Sequence, residues 1–258
     1  MKVLVSAVMV LFLVLAAFSP VAAHFQVLKP SNDMVQQQDE KKVTLDIMFT
    51  HPMEGGPIME MGNPNQFGVF IHGEKIDLLS SLKEKKIDEK KTFTAFYEIK
   101  SPGDHIFFIE PTPYWEPAEE KMIVHYTKVI VNGYGEEEGW DALVGFPVEI
   151  EPLVRPYGLW KGNVFRGIVK RQGVPVAFAE IEVEYLNENK DVKIPADPFI
   201  TQVIKADSNG VFCYALPKSG WWSFAALCIG EEKMKSPQGA EVEVELGALI
   251  WIKCIDME

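Results

Sequence analysis

The sequence has few cysteines, and their spacing does not match a structural zinc site. Cys213, Cys228 and Cys254 form no C-x-x-C pair, which excludes a zinc knot. Cys213 and Cys228 lie on the two arms of a predicted hairpin about 217–220, but their registers do not match. We therefore expect free, buried thiols and no disulfide.

The short motifs of hydrolytic enzymes and phosphate-binding proteins are also missing. The chain contains no G-x-S-x-G, no H-E-x-x-H and no glycine-rich phosphate loop. Those motifs supply a serine nucleophile, a zinc-bound water and a phosphate cradle, respectively. We therefore expect a protein that is not an enzyme.

Positive charge is scarce. The chain carries 25 Lys and Arg against 37 Asp and Glu, for a formal net charge of -12. Nucleic acids are bound through basic patches that contact their phosphates, so this balance argues against a nucleic-acid partner. An acidic surface suits cationic partners instead.

Long apolar runs are absent except at the N-terminus. Lys2 precedes the nearly apolar run 3–18, and small residues follow at 21–23. This pattern is typical of a secretory signal peptide cleaved after Ala23. The alternative is an uncleaved anchor, because the run approaches the roughly 17 residues that span a bilayer. Cleavage predicts a periplasmic protein that contacts the membrane only through a partner. Its net charge would be -13, because Lys2 is the only charged residue removed.

Cleavage after Ala23 would make His24 the first residue. A free α-amine and the imidazole of one residue can chelate a transition metal together, and a second histidine can complete a brace. The alternative is coincidence, since any residue can follow a cleavage site.

Period-two hydrophobic patterns predict strands through most of the mature chain. The runs that carry this pattern or are rich in β-branched and aromatic residues are 43–49, 67–71, 92–99, 106–109 and 122–131. Turn residues at 73–75 and 102–104 separate some of them. A weak, charged pattern predicts one short helix at 78–86, and the proline-rich stretch 110–120 predicts an ordered loop. Short strands at this spacing predict an antiparallel β-sandwich.

A second strand-rich unit follows Pro152 and Pro156. Its turn signals lie at 172–173 and 209–210, and its length of about 100 residues matches one immunoglobulin-like unit. The predicted fold is all-β, with two antiparallel β-sandwich domains after a signal peptide. The predicted boundaries are 1–23 for the signal peptide, 24–154 for the first sandwich and 155–258 for the second.

All five histidines lie before residue 154, which makes the first sandwich the candidate metal-binding domain; they are His24, His51, His72, His105 and His125. His51 follows the alternating residues of the row 43–49 in the same register and precedes Pro52. A strand over this row would therefore place the His51 imidazole at its end. The turn 55–57 could fold Glu54 and nearby methionines back towards it. A loop histidine with gap-filling methionines is the alternative.

The remaining histidines differ in their settings. His125 alternates with Ile123 and Thr127, which is typical of either a hydrogen-bonded core histidine or a ligand. His72 and His105 adjoin turn residues, and we expect both to be exposed. Neutral imidazoles, a carboxylate and an amine suit divalent nickel, cobalt, copper or zinc, whereas thioethers would favour cuprous copper.

Several long segments resemble the NikM-like family of periplasmic proteins associated with cobalt and nickel uptake transporters; they include THPMEGGP, PGDHIFFIEPTPYWEPAEEKMIVHYTKVIVN, RPYGLWKGNVFRGIVKRQGVPV and DSNGVFCYALPKSGWWSFAAL. The resemblance implies a two-domain β protein whose second half is similar to carboxypeptidase-regulatory or transthyretin-like sandwiches. By motif position it implies four metal ligands: His24, His51, Glu54 and His125. It also implies a nickel or cobalt cargo and a membrane transporter as partner. His105 stands where the family pattern has a tyrosine.

Three functions remain open from the sequence. The first is a periplasmic accessory protein that delivers nickel or cobalt to a membrane transporter. The second is a copper histidine-brace protein or an oxidative enzyme acting on polysaccharide. The third is a structural or adhesive sandwich pair that binds no metal.

Overall fold

The structure, a computed structural model, describes residues 24–257. The predicted signal peptide, residues 1–23, lies outside this range and stays a prediction. Across the described residues, no helix is both long and apolar enough to cross a membrane.

Strands make up nearly all of the regular structure, and two single turns of 3₁₀ helix at Leu79–Ser81 and Asp197–Phe199 account for the rest. The strands are β1 (Phe25–Pro30), β2 (Met34–Val35), β3 (Lys42–Thr50), β4 (Ile58–Met59), β5 (Gln66–Ile71), β6 (Glu74–Asp77), β7 (Lys83–Ile87), β8 (Lys90–Glu98), β9 (Gly103–Glu110), β10 (Tyr114–Glu116), β11 (Lys121–Gly133), β12 (Val148–Pro152), β13 (Leu159–Trp160), β14 (Val164–Arg171), β15 (Val174–Pro175), β16 (Glu180–Tyr185), β17 (Gln202–Lys205), β18 (Val211–Ala215), β19 (Gly220–Ile229), β20 (Met234–Lys235), β21 (Glu241–Val242) and β22 (Val244–Ile255).

The predicted all-β class is confirmed, and the five predicted runs coincide with β3, β5, β8, β9 and β11 to within three residues at either end. In β3 the alternate residues Val43, Leu45, Ile47 and Phe49 are at most 5% exposed. Successive side chains of a strand point to opposite faces, so this row faces the core. β3 pairs antiparallel with β1 on one side and β8 on the other.

One large sheet runs through both halves of the chain. Its order is β17-β16-β19-β22-β11-β9-β5-β6, and at its centre β11 pairs in parallel with β22, from Met122 opposite Val244 to Val129 opposite Trp251. The smaller sheet β1-β3-β8-β7 belongs to the first half, and β12-β14-β15 with β18 belongs almost wholly to the second. Each of the two buried clusters includes residues from both halves. The boundary at 154/155 stays a prediction, and the two halves share one sheet.

The predicted helix at 78–86 is wrong. After the 3₁₀ turn the chain forms β7, which pairs with β8 as a hairpin. Asp88 and Glu89 both adopt positive φ, of 49° and 60°, as a two-residue type I′ turn requires. Pairing with β8 decides the conformation of a charged segment whose helical pattern was weak.

Two expectations about the second half are also wrong. The connection at 217–220 is not a hairpin, because β18 pairs with β14 whereas β19 pairs with β16 and β22. It is a link between two sheets. The cysteines are free as expected, but Cys213 is exposed and only Cys254 is buried.

Candidate functional site

The register of β1 and β3 brings His24 and His51 together. Phe25, the first residue of β1, pairs with Thr50, the last residue of β3. The next residue on each strand, His24 or His51, therefore lies at the same end of this strand pair. Their ring centroids are 4.3 Å apart at an interplanar angle of 47°. His51 is only 8% exposed. Two residues that are 27 positions apart in sequence thus form one imidazole pair.

The surroundings keep His24 uncharged at neutral pH. Burial, followed by the neighbouring His51 and His125, lowers the pKa of His24 to about 4, against a weaker opposing effect of Glu245. Glu116 Oε2 lies 3.2 Å from His24 Nδ1. A neutral imidazole has a free lone pair, which is the form that binds a metal ion.

The segment after His51 folds back as the turn residues predict. The Gly56 N–H donates to the His51 carbonyl at 3.2 Å, and β4 then pairs with the end of β3. Glu54 Oε2 lies 3.9 Å from His51 Nδ1, and the Glu54 side chain is 37% exposed. The structure therefore places a partly exposed carboxylate beside His51.

His125 on β11 is buried, but it is not a hydrogen-bonded core histidine. Neither of its ring nitrogens has a hydrogen-bond partner, and Nε2 lies 3.7 Å from Glu245 Oε1. Burial would raise the pKa of Glu245, but His125 and Lys121 outweigh it and lower this pKa to about 2. The ring of Phe49 contacts both His24, at 5.6 Å, and His125, at 5.9 Å between centroids. His125 and His24 thus contact the same aromatic ring.

Gly247 makes room for the His125 imidazole. The two residues are partners in the parallel pairing of β11 and β22. A Cβ at position 247 would come within 2.9 Å of His125 Nε2 and still closer to its Cδ2.

We expect Gly247→Ala to destabilise the protein by about 1–3 kcal/mol, the usual cost of overpacking. The measurement is the free energy of unfolding in denaturant. The double variant Gly247→Ala/His125→Ala should recover part of the loss, because it removes the imidazole that the new methyl group meets. Strictly additive effects of the two substitutions would contradict this role of Gly247.

The other two histidines do not reach this site. His72 is exposed, as expected. His105 is fully buried, which contradicts the expectation for it, because both faces of β9 are covered. Its Nδ1 lies 3.1 Å from the Gly103 carbonyl oxygen and its ring packs against Tyr97.

Sequence reasoning missed the two carboxylates next to the histidines, Glu116 and Glu245. The proline-rich pattern predicts a loop at 110–120, but Tyr114–Glu116 forms β10 and pairs with β11, which places Glu116 beside His24. Glu245 reaches His125 only through the pairing of β11 with β22. No local sequence signal predicts either contact.

Two further missed residues anchor the loop that carries His51. The Met53 N–H donates to Glu184 Oε2 at 3.0 Å. The Asn187 backbone N–H donates to the Pro52 carbonyl, and its side-chain Nδ2 donates to the Met53 carbonyl, both at 3.0 Å. The second half of the chain therefore holds the loop in place.

Within residues 24–257, no three His, Cys, Asp or Glu side chains are placed to hold a metal ion together. The donors brought together are the imidazole pair of His24 and His51, with the carboxylates of Glu116 and Glu54 beside them and His125 in contact with Phe49. Release of the His24 amine by cleavage would add a nitrogen donor at the same point. Two imidazoles and an amine suit a divalent transition metal.

Comparison with solved structures yields weak similarities. The D0-D1 domain of Intimin is 11% identical over 88% of this chain and 99% of that chain, with a TM-score of 0.22. The I9-I11 tandem from titin is 10% identical over 88% of this chain and 66% of that chain, with a TM-score of 0.22. A putative carbohydrate binding protein from Bacteroides uniformis ATCC 8492 is 12% identical over 86% of this chain and 99% of that chain, with a TM-score of 0.24.

No curated protein sequence matches the chain. A family described as a domain of unknown function, DUF4198, matches residues 21–230. That match spans most of the chain and includes every candidate ligand. The protein therefore belongs to the DUF4198 family.

Proposed function

We propose that this protein is a non-enzymatic, periplasmic metal-binding accessory of a nickel or cobalt uptake system that delivers the divalent ion to a membrane transporter. The observation that supports the proposal is the contact of His24 with His51 at the point where signal-peptide cleavage would leave a free amine. The NikM-like motifs of the sequence support the choice of cargo and partner.

The proposed ligands are the amine and imidazole of His24 and the imidazole of His51. The low pKa of His24, about 4, keeps this imidazole available at neutral pH. The nearest further donor is Glu116, whose Oε2 lies 3.2 Å from His24 Nδ1, and Glu54 Oε2 follows at 3.9 Å from His51 Nδ1. His125 is a further candidate, because its ring contacts the same Phe49 ring as His24 and neither of its ring nitrogens has a hydrogen-bond partner.

A site of this kind suits transfer better than storage. The Glu54 side chain is 37% exposed and lies 3.9 Å from His51, so a partner would approach the ion past this carboxylate. Affinity for divalent ions rises from cobalt through nickel to copper at most nitrogen sites, so selectivity would come from geometry or supply. Lowering the pH should release the ion, because protons compete for the imidazoles and the amine.

The test is titration with nickel, cobalt and copper of two forms of the protein, one starting at His24 and one carrying a single extra N-terminal residue. We expect one ion per chain for the form starting at His24 and loss of that binding in the extended form, because the extension converts the amine into an amide. Stoichiometric binding by both forms would exclude the amine from the site.

The same titration separates the competing functions. A preference for copper, with peroxide or oxidised sugar formed when a reductant is added, would favour a histidine-brace enzyme. Failure of both forms to bind any of the three ions would favour a structural protein and overturn the proposal.

A further inference from the structure

A cavity of about 170 Å³ lies beside the imidazole pair and reaches the buried face of His125. The lining residues that matter here are Gln26, Phe49, Glu60, Tyr114, Trp115 and His125. Of these, only His125 belongs to the proposed metal ligands. The remainder form a chamber that metal binding does not explain.

The first clue to its occupant is a buried acceptor without a donor. Gln26 is 0% exposed, and its Nε2 donates to the carbonyls of Val27 and Met48, each at 3.0 Å. Those two carbonyls fix which end of the amide is oxygen, because only the NH₂ group can donate to them. Gln26 Oε1 is left with no hydrogen-bond partner. An unsatisfied buried acceptor costs roughly 1–3 kcal/mol, which a ligand N–H would offset.

The second clue is the nature of the walls. Phe49 and Tyr114 pack with centroids 4.9 Å apart, and Trp115 lies beside them in the lining. Aromatic faces attract cations, by about 0.5–2 kcal/mol for each well-placed contact. Among the described residues that line the chamber, Glu60 supplies a carboxylate and there is no lysine or arginine. Glu60 Oε2 accepts a hydrogen bond from the Lys91 backbone N–H at 2.9 Å, which holds this side chain in place.

We propose that this chamber binds a small organic ammonium compound, an aliphatic or aromatic primary amine in its protonated form. The carbon skeleton packs against Tyr114 and Trp115, and Glu60 compensates the positive charge. Gln26 is fully buried in the ligand-free protein, so a small shift of its side chain brings Oε1 to the ammonium N–H that donates to it. The proposal goes beyond metal delivery, because it requires neither a bound ion nor a free N-terminal amine.

The test uses protein expressed from the full 258-residue sequence and kept in a chelator, so that metal plays no part. The probes are benzylamine, which is protonated at pH 7, the neutral benzyl alcohol and the anionic benzoate, with binding followed by calorimetry. We expect benzylamine to bind about tenfold more tightly than benzyl alcohol, since one cation–aromatic contact approaches 1.4 kcal/mol. Benzoate should not bind. Equal binding of the three probes would show that the chamber does not select a positive charge, and binding of none would show that it admits no such ligand. Either result would overturn the proposal.

A charge-neutral variant sharpens the result. Glu60→Gln keeps an oxygen for the Lys91 N–H but removes the charge, so benzylamine should bind about five- to tenfold more weakly while benzyl alcohol is unaffected. Glu74→Gln, at an exposed position of β6, changes the net charge equally and should leave both probes unchanged. Equal weakening by the two variants would assign the preference to overall charge and overturn the role of the chamber.

Discussion

Replacing His51 with alanine should abolish stoichiometric metal binding, with affinity falling at least about 100-fold, the upper end of what loss of a supporting residue around a metal causes. His51 is one half of the imidazole pair, 4.3 Å from His24 between ring centroids. Without it, the His24 amine and imidazole form a two-donor chelate with no second histidine. The measurement is a titration with nickel or cobalt of the form that begins at His24.

The matched control is His72→Ala. His72 is also a histidine of the first half, but it is exposed in the turn between β5 and β6, so its removal should leave the titration unchanged. Thermal unfolding of both variants checks that the fold survives. Unchanged binding in His51→Ala, with the fold intact, would remove His51 from the site.

Glu184→Gln should stabilise the protein by a few kcal/mol at pH 9 and by almost nothing near pH 4.5. Glu184 is 1% exposed. Burial foremost, with Glu182 and Glu54 nearby, raises its pKa from 4.5 to about 8, although hydrogen bonds from Thr201 and Met53 oppose the rise. The folded state therefore favours the protonated acid, whereas the unfolded chain ionises near pH 4.5.

The direction of the pH dependence follows from this difference. Below pH 4.5 the acid is protonated in both states and costs nothing. Between pH 4.5 and 8 the unfolded state releases its proton first, so Glu184 lowers stability progressively as the pH rises. One pKa unit corresponds to about 1.4 kcal/mol, so the full effect is a few kcal/mol above pH 8.

Glutamine at position 184 does not titrate, and its amide oxygen can still accept the hydrogen bond from the Met53 N–H. Unfolding in denaturant at several pH values, for the parent and for Glu184→Gln, measures the effect. The exposed substitution Glu74→Gln serves as control and should follow the parent. Parallel curves for the parent and Glu184→Gln would show that Glu184 is already ionised in the folded protein at neutral pH.

Local patterns were enough to predict the β class and one half of the candidate site. The row Val43 to Phe49 alternates with period two, and a strand of that pattern must present one face to the core. His51 follows that row directly, so its place at a strand end could be read from the chain. The proximity of His24 also follows once β1 is paired antiparallel with β3.

Contacts between distant segments could not be predicted in this way. Met53 and Glu184 are 131 residues apart and Asn187 and Met53 are 134 apart, so their hydrogen bonds depend on how the two halves pack. The space for His125 depends on Gly247, which meets it only because β22 pairs in parallel with β11. His105 is buried because both faces of β9 are covered, whereas the expected helix at 78–86 becomes β7 through its hairpin pairing with β8.

The amino-acid sequence alone therefore determines the β class, the strands with clear alternation and the residues that can act as donors, because alternation and side-chain chemistry are local properties. Tertiary packing alone decides which donors meet, how far burial shifts the pKa of His24 and Glu184, and where a cavity opens beside Gln26. These outcomes depend on strand order, register and desolvation, and all three arise from contacts between residues far apart in the chain.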